Sequence, residues 1–236
     1  GINVLDLSDE QLDGVKSACA AAGLKVQAVG SPVNKVLMND QNRLTELGKM
    51  ERAIHAAKRL GTPLIRIFTP EVEEGTSPQD AWSGVKAWMR GQIDLAEKHG
   101  VTLLHENDAK FYGAYPSQCQ RLLGEFGGPG FRAAFDFANT VLLGYGPEDW
   151  FPWLRPHLHT IHIKDALREE GKIVPAGEGE GKIPETLKTL FDTGWDGPLT
   201  LEPHLSAAGP LGGFSGEQLF ETATNALKRV LAEIGA

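Results

Sequence analysis

Along the chain, short apolar runs rich in β-branched residues alternate with longer stretches in which apolar side chains recur every three or four positions. Six short runs stand out: LKVQAVG, which breaks at SPVN; PLIRIFTP, bracketed by prolines; VTLLHEN; FRAAFDF; LHTIHIK; and LTLEPH. Runs of this length separated by helical periodicity predict βα units on a parallel sheet. Arg43 to Leu60 keeps Leu44, Leu47, Ile54, Ala57 and Leu60 on one helical face. Pro78 to His99 spaces Trp82, Val85, Trp88, Met89, Ile93 and Ala96 in the same way and stops at Gly100, the residue type that ends helices. Asn3 to Ala22 reads as the tail of a strand feeding a helix, and Ser215 with Gln218 opens the last helix in capping-box spacing.

No linker, low-complexity tract or change of composition interrupts this alternation, so residues 1–236 read as a single domain. Six strands suit an open doubly wound sheet, whereas a (β/α)8 TIM barrel needs eight and typically ~250 residues. The barrel is nevertheless the expected fold, with its first one or two strands missing or very weak. The chain opens on a strand tail, and the polar residues at the strand ends fall where a barrel places them.

Side chains alternate across a strand, so parity assigns faces. In LHTIHIKD, Ile161 and Ile163 face covering helices, while Thr160, His162 and Lys164 face the other way. The same parity groups Thr102, Leu104 and Glu106, then Ala134 and Asp136, then Thr200 and Glu202. Four successive strands thus each deliver one ionisable group inward near the carboxyl end, which is the active face of a barrel. Three carboxylates and an imidazole repel one another when they converge, and a divalent cation removes the conflict. Oxygen-rich sites with one His suit Mn²⁺ or Mg²⁺ best, then Co²⁺ or Zn²⁺. His105, His157 and His159 fall on the opposite parity or before the strand and read as structural or exposed; His55 and His99 lie in helices and read as solvated.

Composition narrows the partners. With 23 Lys plus Arg against 31 Asp plus Glu, the formal net charge is -8, which argues against a general grip on nucleic acid or anionic lipid. Two cysteines, Cys19 and Cys119, give neither a disulfide framework nor a Cys-based zinc site, so a reducing, cytoplasmic setting is expected. No apolar run approaches the roughly 18 residues of a membrane span. Residue 1 is Gly, not Met, and no signal segment opens the chain.

LLHEN, FDFAN, IHIKD, VPAGEGEG and LEPH, in that order, resemble the sugar phosphate isomerase/epimerase superfamily, the xylose isomerase-like barrels. The resemblance implies one divalent metal on Glu106, Asp136, His162 and Glu202. It also implies a small sugar substrate, with Glu106 and Glu202 shuttling protons on either side of an enediolate. Asn139 stands where epimerases of the group usually carry a substrate-binding His, and Arg168 where they carry a substrate-contacting Arg. Lys164, inward by parity, is expected to bind a substrate oxygen or to pair with Asp165 or a glutamate of AGEGEG. A homodimer is expected because barrels of this family often pair.

Other readings stay open on the same residues. A lyase or dehydratase needs only a leaving group beside the same carbanion, and a sugar-binding homologue keeps the site without turnover. An endonuclease IV-like activity calls for further histidines and a DNA-binding surface that the acidic chain does not offer. The glycines of GEGEG and GPLGGFSG can present backbone N–H groups to an anion, although Glu178 and Glu180 make the first loop acidic. Phe111, Tyr112, Trp150, Trp153 and Phe214 can roof a pocket or simply pack between loops and helices.

Overall fold

Strand and helix boundaries follow local signals closely. The computed structural model describes residues 2–205 and 216–236, so the Ser215 cap, Phe214 and most of the GPLGGFSG loop lie outside the described residues. The strands are β1 Val29–Gly30, β2 Leu64–Ile67, β3 Thr102–Glu106, β4 Phe131–Asp136, β5 Leu158–Ile163, β6 Asp165–Leu167, β7 Lys172–Val174 and β8 Leu199–Leu201. The α-helices are α1 Asp9–Ala21, α2 Asp40–Leu60, α3 Pro78–Lys98, α4 Pro116–Phe126, α5 Phe137–Leu142, α6 Phe151–Leu154, α7 Ile183–Asp192 and α8 Gly216–Ile234. None of the helices among the described residues is long and apolar enough to cross a membrane.

A six-stranded sheet runs in the order β1-β2-β3-β4-β5-β8, with parallel pairing of β1 to β2, β2 to β3, β4 to β5 and β5 to β8. These are the six expected runs, and the fold is α/β on the TIM-barrel plan. LKVQAVG is the weakest of them. Only Val29 and Gly30 pair, opposite Ile65 and Arg66, because an edge strand has one neighbour from which to draw hydrogen bonds. The sequence pattern does not announce a two-stranded antiparallel sheet of β6 and β7, which register Asp165 against Val174 and Leu167 against Lys172.

The described chain divides into two compact units. The first comprises the chain up to Glu106 with Lys110–Gly113 and Ser117–Arg132; the second comprises Asn107–Ala109, Ala114–Pro116 and the described residues from Ala133 onward. In the first unit, Asn39 caps α2 by accepting the Asn42 N–H, and Gly61 closes it at φ 82°. Ser77 caps α3 from the Asp80 N–H, and Val85, Trp88, Met89, Ile93 and Ala96 are buried as the periodicity predicts.

The face expected for α2 needs correction. Leu44 is 74% exposed, whereas Glu46, about 200° further round the helix, is fully buried. Glu46 accepts the Asn34 N–H at 2.6 Å and pairs with Lys49 at 2.6 Å. Asn34, left-handed at φ 73°, donates to the Phe68 carbonyl and accepts from Trp88 Nε1 and Gln92 Nε2. A buried carboxylate met by its own donors can turn inward in place of a leucine.

In the second unit, Phe135 and Trp150 are buried and pack edge to face at 5.5 Å, with Trp153 tilted against Trp150 at 5.5 Å. These rings build core. In the first unit Phe111 and Tyr112 are buried as well, against Phe68 and Trp82 respectively.

Candidate metal centre

Register positions the site. Asp136, the last residue of β4, stands opposite His162 on β5, and His162 stands opposite Thr200 on β8. Thr160 and Thr200 bring their hydroxyls to 3.3 Å, so the two strands turn these side chains to one face. Two residues further along, the Glu202 N–H donates to the Ile163 carbonyl at 3.3 Å and carries its carboxylate onto the same face.

The side chains then meet. His162 Nδ1 lies 3.3 Å from Glu202 Oε1, while Lys164 Nζ lies 2.8 Å from Asp136 Oδ2 and 3.8 Å from Glu202 Oε2. Asp136 is fully buried and Lys164 and His162 nearly so. Asp136 Oδ1 accepts the Asn139 N–H at 2.9 Å and so caps α5. In the first unit, buried Glu106 ends β3, with Oε2 3.1 Å from Arg66 Nε. Arg66 also donates to the Ser31 carbonyl, and its guanidinium lies 4.4 Å above the Phe68 ring.

Asp136, His162 and Glu202 each offer one ligand atom, and these atoms all lie within 4.8 Å of one another. Carboxylates this close disfavour joint ionisation unless positive charge answers them. Lys164 supplies part of that charge. One monocation against the two carboxylates of Asp136 and Glu202 leaves one net negative charge with His162 neutral, so a divalent cation is electrostatically welcome. A donor set of carboxylate oxygens and one imidazole fits a divalent metal ion.

The other residues singled out in the sequence are placed as follows. Lys164 pairs with Asp136 and stands near Glu202. Asn139 is half-buried in the first turn of α5, its backbone engaged by Asp136. Arg168 is exposed just past the end of β6; its N–H donates to Glu180 Oε1 at 2.8 Å, and its guanidinium rests against Gly144, leaving no space there for a Cβ. His55 is bonded to Asp9 at 2.7 Å and His99 to Lys58 at 2.9 Å. His105 is 1% exposed, lies against Gly113 and Phe131, and has its pKa pushed down to about 4 by burial.

Two buried residues that sequence reasoning gives no role in the site are each bonded to backbone groups, Asn107 to those of Asp136 itself. Asn107, 2% exposed, donates from Nδ2 to the Asp136 carbonyl at 3.1 Å and accepts the Asp136 N–H on Oδ1 at 2.8 Å. Asp165 accepts four backbone N–H groups, from Ala166 and Gly181 on Oδ1 at 2.9 Å and from Gly177 and Gly179 on Oδ2 at 3.1 Å. The GEGEG glycines do present their N–H groups to an anion, and that anion is the chain's own Asp165. Burial pushes the Asp165 carboxyl above its usual range, while the four donors pull it the other way. The signals were legible in principle: an Asn directly after the strand-end Glu106, and glycines two apart following IHIKD.

Comparison with known proteins places these features in a wider group. Residues 2–230 match a family model described as xylose isomerase-like TIM barrel. The chain is similar to the L-ribulose-5-phosphate 3-epimerase of Salmonella typhimurium, with 24% identity over 207 residues, covering 84% of this chain and 71% of that protein. It shares its fold with a D-tagatose 3-epimerase-like protein at TM-score 0.80 and 15% identity, covering 97% of this chain and 85% of that one. An IOLI protein solved with a bound zinc atom gives TM-score 0.78 at 16% identity, covering 97% of this chain and 83% of that one.

Proposed function

Because the chain belongs to the xylose isomerase-like TIM barrel family, we propose that it is an isomerase or epimerase of a small sugar or keto-sugar, working with one divalent cation held by Glu106, Asp136, His162 and Glu202. The observation that carries this reading is the approach of one ligand atom each from Asp136, His162 and Glu202 to within 4.8 Å of one another. The epimerase names of the relatives and the zinc atom of the IOLI neighbour support it. When bound, the cation supplies a Lewis acid that polarises the substrate carbonyl and favours the oxyanion of an enediolate.

The chain's own residues then move the proton. Glu106 and Glu202 are the acid/base pair: one carboxylate takes the proton from the carbon beside the carbonyl, and the other returns a proton from the opposite side. Lys164, buried at 2.8 Å from Asp136 and 3.8 Å from Glu202, is placed to donate to a substrate oxygen. Asn139 and Arg168 hold hydroxyls further along the substrate.

The test is metal analysis of the purified protein and its Glu202→Ala variant, followed by incubation of keto-sugars in D₂O. The expected result is near one Mn²⁺, Mg²⁺, Co²⁺ or Zn²⁺ per chain, lost in the variant, with deuterium entering the carbon beside the carbonyl. No metal under any loading condition overturns the reading. Release of water or an aglycone moves it to a lyase, and tight sugar binding without exchange moves it to a sugar-binding homologue.

A further inference from the structure

We propose that Asn107 is the positioning residue of this centre, its side-chain amide standing in for a peptide group so that Asp136 presents one oriented carboxylate oxygen. The inference rests on the metal reading above.

Strand β4 ends at Asp136, and the chain turns directly into α5 at Phe137. A ligand at such a junction needs its backbone held by something other than a continuing strand ladder. Asn107 does this from both sides, accepting the Asp136 N–H at 2.8 Å and donating to its carbonyl at 3.1 Å. A carboxamide offers one donor and one acceptor on a single rigid plane, as a peptide does; a carboxylate lacks the donor and a hydroxyl is too short to span both groups. Asp136 Oδ1 is engaged by the Asn139 N–H at 2.9 Å. With N–H, C=O and Oδ1 all fixed, rotation about the side-chain bonds is restrained, and Oδ2 is held where Lys164 Nζ meets it at 2.8 Å. Asn107 also directly follows Glu106, so the residue that clamps one proposed ligand carries another on its preceding peptide bond. Groups that orient metal ligands typically change metal affinity by about 10- to 100-fold when removed.

The experiment is Mn²⁺ titration calorimetry on metal-free wild-type protein, Asn107→Ala and the milder Asn107→Ser, with the visible absorption of the Co²⁺-loaded forms and thermal melts of the metal-free forms. Positioning predicts Mn²⁺ binding weakened about 10- to 100-fold in Asn107→Ala, less in Asn107→Ser, with altered Co²⁺ bands in both. If affinity stays within about twofold and the bands are unchanged while the melting temperature falls, the amide serves stability alone and the proposal fails. Loss of fold in both variants likewise assigns the amide to stability and overturns the proposal. Absence of Mn²⁺, Mg²⁺, Co²⁺ and Zn²⁺ binding by the wild-type protein removes the metal reading itself, which is a separate failure seen before any variant is compared.

Discussion

Asp136 and Asp165 are both fully buried, each at the carboxyl-terminal side of β4 or β5, yet they are treated in opposite ways. Asp165 is saturated by four neutral backbone N–H groups, three of them from glycines of the loop that follows β7. Asp136 gives one oxygen to a helix cap and turns the other toward Lys164, beside His162 and Glu202. Fixed dipoles around a carboxylate make a structural anchor. Carboxylates aimed at one another and answered by a side-chain cation keep affinity for a further positive charge. Burial alone does not separate the two; the identity of the partners does.

The sharpest way to break this comparison is to truncate each aspartate's setting in turn. Asp136→Ala removes a proposed ligand and the 2.8 Å partner of the buried Lys164, which is expected to cost about 3–5 kcal/mol in stability and to abolish metal uptake. Chemical denaturation and metal analysis check both. If metal uptake survives, Asp136 belongs with Asp165 as an anchor.

A second effect comes from His105, which neighbours Glu106 in sequence but is held neutral in the core, its pKa pushed down to about 4. Between the ordinary histidine value and that one, the unfolded chain binds more protons than the folded one. Stability therefore falls as pH drops through this window and levels off below it, by about 3 kcal/mol in total. The loss is expected in metal-free protein and to disappear in His105→Gln, as denaturant melts between about pH 7 and pH 4 will show. Persistence of the slope in that variant assigns it to the cluster.

The smallest change is Gly179→Ala. A Cβ there would come within 2.5 Å of both the Ala166 carbonyl and Asp165 Oδ1. Forcing the loop apart is expected to cost about 1–3 kcal/mol, seen as a lower melting temperature, while Mn²⁺ affinity stays close to wild type. Lost affinity at unchanged stability would erase the distinction between anchor and centre.

Parity carried much of the site's arrangement. Strand alternation is a local property of the backbone, so Thr160, His162 and Lys164 could be assigned one face, and Thr200 with Glu202 another, before any pairing was known. The hydroxyl contact of Thr160 with Thr200 at 3.3 Å shows that those faces coincide. The carboxyl end of α3 was legible for the same reason, since Gly100, left-handed at φ 68°, acts within one turn of the residues it follows. Leu44 shows the limit: apolar spacing predicted a face, but Glu46 claims the interior because Asn34, 12 residues earlier, supplies its donor.

By itself, then, the sequence determined the α/β plan, the six runs that become sheet strands and the side of each strand on which ionisable groups stand. Those follow from local steric preference and from the period of each element. Tertiary structure alone decided the partners: Lys164 on Asp136, Asp165 on the loop glycines, Asn107 on the Asp136 backbone, and the β6 hairpin that no periodicity announced. The reason is physical. A hydrogen bond or ion pair between residues 12 to 29 positions apart depends on where the fold brings two chain segments, and no local window contains both.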